Sequence, residues 1–266
     1  MPHASADTPE PGLTPREHRR LAEVLLKAMR ERRAIEPLSR RYPELTPADG
    51  ERIRDALADR RVAGGERRLG ATADACEEPP ARFGWITSEM LLDRDAFELG
   101  GLIRPRVEAK LAFRLHRALP AAPTARDLLA ATGRVLPALE VRDSRYGCAV
   151  PSPADAMADN CAVTLVRLGA GGPPPAEHAL DGLGLTVEHD GAPVAGAARP
   201  SPVESVLWLV RRLVATGAAP RAGTLLVSAP CASVHAPVAG TLIRAYETGL
   251  GAVELRGVMT ETEVVR

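Results

Sequence analysis

Residues 105–115, Pro-Arg-Val-Glu-Ala-Lys-Leu-Ala-Phe-Arg-Leu, and residues 137–145, Pro-Ala-Leu-Glu-Val-Arg-Asp-Ser-Arg, decide how this chain is read. From Arg68 onward the sequence breaks into short apolar runs punctuated by glycine and proline, and Lys110–Leu115 is one of them. Val163–Leu168, Gly184–Glu188, Thr224–Val227, Thr241–Tyr246 and Ala252–Leu255 are others. Runs of this length between breakers predict strands. His189-Asp190-Gly191-Ala192 carries the Asp-Gly pair of a tight hairpin between two such runs.

Helix signals bound this region. Thr14-Pro15-Arg16-Glu17 combines an N-cap threonine, proline at the first helical position and a glutamate that closes a capping box. Leu21, Val24, Leu25 and Met29 follow at helical spacing, which predicts a first helix to about Arg33. Thr46-Pro47-Ala48-Asp49 repeats the start signal, Ile53 and Leu57 supply the stripe, and Gly64-Gly65 ends it. Two more helices are predicted at about 124–132 and 202–216. Gly169–Pro175 is read as a connector, because it lacks the Lys-Ser/Thr ending of a phosphate cradle. The expected organisation is a disordered tail (1–13), an N-terminal helical segment (14–65), a β-rich body (66–258) and a C-terminal tail (259–266). The fold class is therefore α+β.

Composition excludes several roles. With 34 basic and 34 acidic residues the chain has no net charge, so no global field draws it to nucleic acid or an anionic membrane. A small neutral or anionic metabolite is the expected partner. The polar, proline-rich start and the lack of an apolar run of about 18 residues predict a cytoplasmic protein. Cys76, Cys148, Cys161 and Cys231 are scattered, which argues against a zinc site or a disulfide framework. Lys27 and Lys110 are the only lysines among 34 basic residues. A lysine inside residues 105–115 is for that reason conspicuous.

Three stretches, Pro105–Phe113, Pro137–Arg145 and Ala158-Asp159-Asn160, carry a resemblance to the 2-oxo-4-pentenoate hydratase and 4-oxalocrotonate decarboxylase branch of the fumarylacetoacetate hydrolase superfamily. Pro43–Thr46, Arg68–Thr72, Val206–Leu209 and Arg221–Ser228 extend it in order, over roughly residues 18 to 257. The resemblance implies that family's mixed β-rich body and association into a homo-oligomer, or into a complex with a homologous subunit. It also implies a Glu-x-Glu strand and a later Leu-Glu strand that give three carboxylates to magnesium or manganese, a hard-cation set. Glu108 and Glu140 match the first and third ligands, but the second position holds Lys110.

The expectation is consequently a site without a metal, in which Lys110 replaces the ion electrostatically; magnesium or manganese held by Glu108, Glu140 and water is the runner-up. Lys110 is a candidate base, Schiff-base amine or fixed cation, with Glu108, Glu140 and Asp159 as acid/base groups. Arg68, Arg82, Asp143, Arg145, Ser228, Cys231 and His235 are candidate substrate-binding residues from family stretches near the site. Arg68 and Arg82 replace the family's lysine and acid, and Ser228–Ala232 replaces its Ser-Gly-Ser-Leu-Thr loop. The family enolises 2-oxo acids. A metal-independent lyase, isomerase or cyclase in a specialised pathway is expected, the alternatives being an ordinary metal-dependent hydratase or decarboxylase and a non-catalytic partner subunit.

Overall fold

The computed structural model describes residues 12–74, 82–147, 151–174, 183–195 and 201–259. In chain order these form helices α1 (Pro15–Glu31), α2 (Leu38–Arg41) and α3 (Pro47–Ala63), then strands β1 (Arg68–Ala73), β2 (Phe83–Thr87), β3 (Leu91–Leu92) and β4 (Ala96–Glu98). Next come β5 (Pro105–Leu115), α4 (Ala125–Ala131), β6 (Thr132–Asp143), α5 (Pro153–Ala158), β7 (Val163–Leu168), β8 (Thr186–His189) and β9 (Ala192–Pro193). The remainder is α6 (Pro202–Ala215), β10 (Leu225–Val227), β11 (Ala232–His235), β12 (Leu242–Glu247) and β13 (Gly251–Val258). This is the α+β architecture that the sequence predicts.

Both N-terminal capping boxes form. Glu17 N–H donates to Thr14 Oγ1 at 3.3 Å while Thr14 N–H donates to Glu17 Oε2 at 2.8 Å, and Thr46 and Asp49 repeat the exchange. Leu21, Leu25, Ile53 and Leu57 pack with Tyr146 and with Ala154 and Ala158 of α5. Leu13, which the sequence reading assigns to the tail, is buried in the same cluster; residues 1–11 and 260–266 lie outside the described residues. Asp190 and Gly191 both take positive φ, 50° and 77°, in the β8–β9 hairpin, as the Asp-Gly pair requires.

Among the described residues there are two sheets. The first runs β2-β1-β10-β5-β6-β7-β3, with β11 beside β5; the second runs β4-β13-β12-β8-β9. Period-two alternation sorts the long central pair, β5 and β6, into two faces. Val107, Ala109, Leu139 and Val141 face the second sheet, packing on Ile243, Ala245, Val253 and Leu255. Further along the same face, Leu111, Phe113 and Val135 pack under α6. The opposite face holds Ala112, Leu136 and Ala138 with Val163 and Val227, and on it lie Arg106, Glu108 and Lys110 of β5 and Glu140 and Arg142 of β6.

Strand β1 lies close against β10. A Cβ at Gly70 would stand 1.8 Å from the Leu225 carbonyl oxygen, backbone that cannot step aside. Gly70→Ala is expected to destabilise by about 3 kcal/mol, whereas Gly184→Ala, with nothing within 4 Å, should stay within about 0.5 kcal/mol. Denaturant unfolding checks both.

Candidate active site

The register of β5 against β6 sets Glu108 opposite Glu140, Arg106 opposite Arg142, and Lys110 opposite Ala138. Two carboxylates directly across a buried face repel each other. Lys110, one diagonal step from Glu140, answers that repulsion. Its Nζ donates to Glu140 Oε1 at 2.7 Å, Thr72 Oγ1 at 3.0 Å and the Ala73 carbonyl at 3.1 Å, and lies 3.3 Å from Glu108 Oε2. The Lys110 and Glu140 side chains are both 0% exposed. An ammonium has three N–H donors and no acceptor, so these neighbours engage all of it.

Arg142 extends the cluster. One terminal nitrogen contacts Asp74 and both oxygens of Glu108, the latter at 3.2 Å, and the other donates to the Cys161 carbonyl. Arg106 donates to Glu108 Oε1 at 3.1 Å, and Arg82 to Asp74 Oδ2 at 3.0 Å. Asp74, Glu108 and Glu140 thus interleave with Lys110, Arg142 and Arg82, three charges against three, with Arg106 at the rim. Burial opposes ionisation of Glu108, but the Arg142 guanidinium, then Lys110 and Arg106, outweigh it and hold the carboxyl at about 2. Asp74 is held well below the carboxylate range, its burial outweighed chiefly by Arg142. Burial would lower Arg142, yet Asp74 and Glu108 raise it.

A carboxyl depressed on folding stabilises fully above its unfolded value and loses that contribution as pH falls toward its folded one. Stability owed to Glu108 should therefore drain away between about pH 4.5 and about pH 2. Glu108→Gln is expected to flatten that limb of an acid-unfolding curve, and an unchanged slope would contradict it.

The other residues singled out from the sequence scatter. Arg68 turns to the helical layer, bonding Asp59 at 2.7 Å with its guanidinium 4.3 Å from the Trp85 ring centroid, so it is not brought to the cluster. Asp143 accepts from the Ile103 and Arg104 amides at 2.9 and 2.6 Å and pins the chain entering β5. Asp159 is bound by Arg145 Nε, the Arg145 amide and Ser144 Oγ; its burial is the larger influence and lifts the carboxyl to about 6. Asp159 and Arg145 are engaged with each other as a buried bridge. Ser228 Oγ accepts from Leu111 N–H at 3.0 Å and donates to the Ala229 carbonyl at 2.8 Å, which ties the loop to β5. Cys231 donates its amide to the Ala109 carbonyl at 2.8 Å and is half-buried. His235 pairs through its backbone with Arg106, and its side chain lies outside the described residues.

Thr72, Asp74, Arg106 and Arg142 are cluster members that the sequence reading passed over. Alternation could have found two of them, since Arg106 precedes Glu108 by two residues and Arg142 follows Glu140 by two.

No family model matches the chain. A 2-hydroxypent-2,4-dienoate hydratase of Pseudomonas putida is 33% identical over 209 residues, 73% of this chain and 94% of that protein. The chain belongs to the 2-keto-4-pentenoate hydratase and 4-oxalocrotonate decarboxylase family. A 2-keto-4-pentenoate hydratase of Paraburkholderia phymatum is 30% identical over 247 residues, covering 88% of this chain and 94% of its own length. The 4-oxalocrotonate decarboxylase from Pseudomonas putida G7, complexed with magnesium and adipate, superposes with a TM-score of 0.83 at 27% identity, over 92% of this chain and 99% of that one. These relatives are lyase-type enzymes, and this hydratase/decarboxylase family member is lyase-like. Among its described residues no helix is long and apolar enough to cross a membrane.

The magnesium in that decarboxylase can be tested against the residues here. Hard divalent ions require several oxygen ligands. Glu108 and Glu140 offer carboxylates, but Lys110 Nζ lies 3.3 Å from one and 2.7 Å from the other, engaging their oxygens and repelling a second cation. Among the described residues no three His, Cys, Asp or Glu side chains gather as a ligand set. This arrangement does not fit a divalent ion.

Proposed function

We propose that the chain is a metal-independent lyase, isomerase or cyclase acting on a small 2-oxo acid or other enolisable carbonyl, with Lys110 standing where its relatives hold a cation. The supporting observation is the seating of Lys110 Nζ between Glu140 and Glu108. With every N–H engaged, Lys110 acts as a fixed cation rather than an amine. Arg82 and Arg106, with side chains 24% and 36% exposed, are placed at the rim where a substrate carboxylate could meet a guanidinium. Glu140 Oε2 is buried without a protein hydrogen-bond partner among the described residues, so it is the acceptor for a substrate proton. The positive members of the cluster stabilise enolate charge as it develops.

Solvent deuterium uptake at C3 of 2-oxopentanoate, followed by NMR with and without chelator alongside elemental analysis, tests this. Exchange that survives chelation in protein holding no stoichiometric metal is expected, and borohydride with substrate should trap no adduct at Lys110. Stoichiometric magnesium or manganese with chelator-abolished exchange would instead establish a metal-dependent hydratase or decarboxylase, the reading favoured by the magnesium-bound decarboxylase. Absence of exchange, with stable association to an intact homologue, would leave a partner-subunit role.

A further inference from the structure

We infer that Asn160 is a positioning residue: it holds a left-handed turn whose Cys161 carbonyl fixes the Arg142 guanidinium, and through it the carboxylates of the candidate site. Asn160, Cys161 and Ala162 have φ of 51°, 52° and 61° in succession. Residues with a Cβ resist this conformation, Asn least, and three in a row persist only where the surroundings enforce them. The enforcement is visible on both sides of the turn.

The Asn160 carboxamide docks on β2 as a strand would: Trp85 N–H donates to Oδ1 at 2.7 Å and Nδ2 donates to the Trp85 carbonyl at 3.0 Å. Gly84 admits this approach, since a Cβ there would fall 2.5 Å from the Asn160 carbonyl oxygen. Before the turn Arg145 clamps Asp159, whose carbonyl accepts the Ala162 amide at 2.8 Å. The outcome is a Cys161 carbonyl aimed at one terminal nitrogen of Arg142, while the other holds Asp74 and Glu108. Burial pushes the Cys161 thiol up to about 12, so that residue contributes its carbonyl and not its sulfur.

The inference deepens the reading of the cluster as the active site, but its test observes Arg142 directly and needs neither substrate nor turnover. In ¹⁵N-labelled protein, with Arg142→Lys for assignment, the Arg142 terminal N–H groups are expected as separate resonances because the guanidinium cannot rotate. Asn160→Gly keeps the left-handed backbone and loses the carboxamide, and should merge them. Asn160→Asp keeps the acceptor, loses the donor to Trp85, and should broaden or merge them as well; it decides the matter if the glycine variant does not fold. Leu57→Ala, a cavity in the helical layer, lowers stability and should leave them resolved. Resolved signals in both Asn160 variants, merged signals in wild type, or merging in Leu57→Ala as well would overturn the assignment.

Discussion

Lys110→Met is expected to lower the unfolding free energy by about 3–5 kcal/mol at neutral pH, the cost of removing one partner from a buried ion pair. Met keeps most of the stem's volume, so the loss is electrostatic rather than a cavity. What it exposes is the register: Glu108 and Glu140 face each other across β5 and β6, and among the described residues Lys110 is the cation that bridges both. The double variant Lys110→Met/Glu140→Met removes the second unpaired charge and should recover most of the loss, since apolar replacement of a complete buried pair is often neutral. Denaturant unfolding of the four species gives the coupling energy by a double-mutant cycle. A single-variant cost below about 1 kcal/mol, the range of exposed pairs, would mean that Lys110 does not hold the carboxylates together. A residue of this kind cannot be tested by activity alone, because loss of turnover in Lys110→Ala would also follow from loss of the fold.

Much of this could be read from the chain. Capping boxes and helical stripes are local signals, and Thr14, Thr46 and the Ile53/Leu57 stripe placed α1 and α3 to within two residues of their observed ends. The family motifs placed Glu108, Lys110 and Glu140 together. What resisted reading is instructive in physical terms. Strand β5 begins at Pro105, five positions before the apolar run predicts, because a criterion built on apolar residues cannot see a stretch in which Arg106 and Glu108 alternate with Val107 and Ala109. Helix α5 spans six residues, too short for a periodic stripe. Arg142 and Asp74 come from strands and loops brought together by a parallel β1–β10 pairing across more than 150 residues, and no local pattern reports such a contact. Conversely, Arg68, Asp143 and Ser228 fell on family stretches near the site yet serve packing and chain entry. A short motif fixes a residue's place on a strand but not which neighbour its side chain meets.

The same register predicts what would admit a metal. In Lys110→Glu the new carboxylate stands on the face of Glu108, two residues along, and diagonal to Glu140. Asp74 remains nearby, so four carboxylates would then share Arg142, Arg82 and Arg106. Without an ion this surplus of negative charge should lower the thermal midpoint well below that of the wild type. An added divalent cation binds the folded state alone and stabilises it by about 2.7 kcal/mol at one hundred times its dissociation constant. For a chain of this size that is a rise of about 5–10 °C in midpoint. The expected result is a manganese-dependent rise in Lys110→Glu, reversed by chelator and absent from the wild type, with calorimetry reporting binding only to the variant. Arg142 sharpens the test, because its hold on Glu108 survives the substitution and must yield for that carboxylate to ligate. Lys110→Glu/Arg142→Ala should therefore bind the ion more tightly than Lys110→Glu. If neither variant responds to manganese, magnesium or calcium, Lys110 is not the group that excludes a divalent ion, and the cluster is a structural ion lattice.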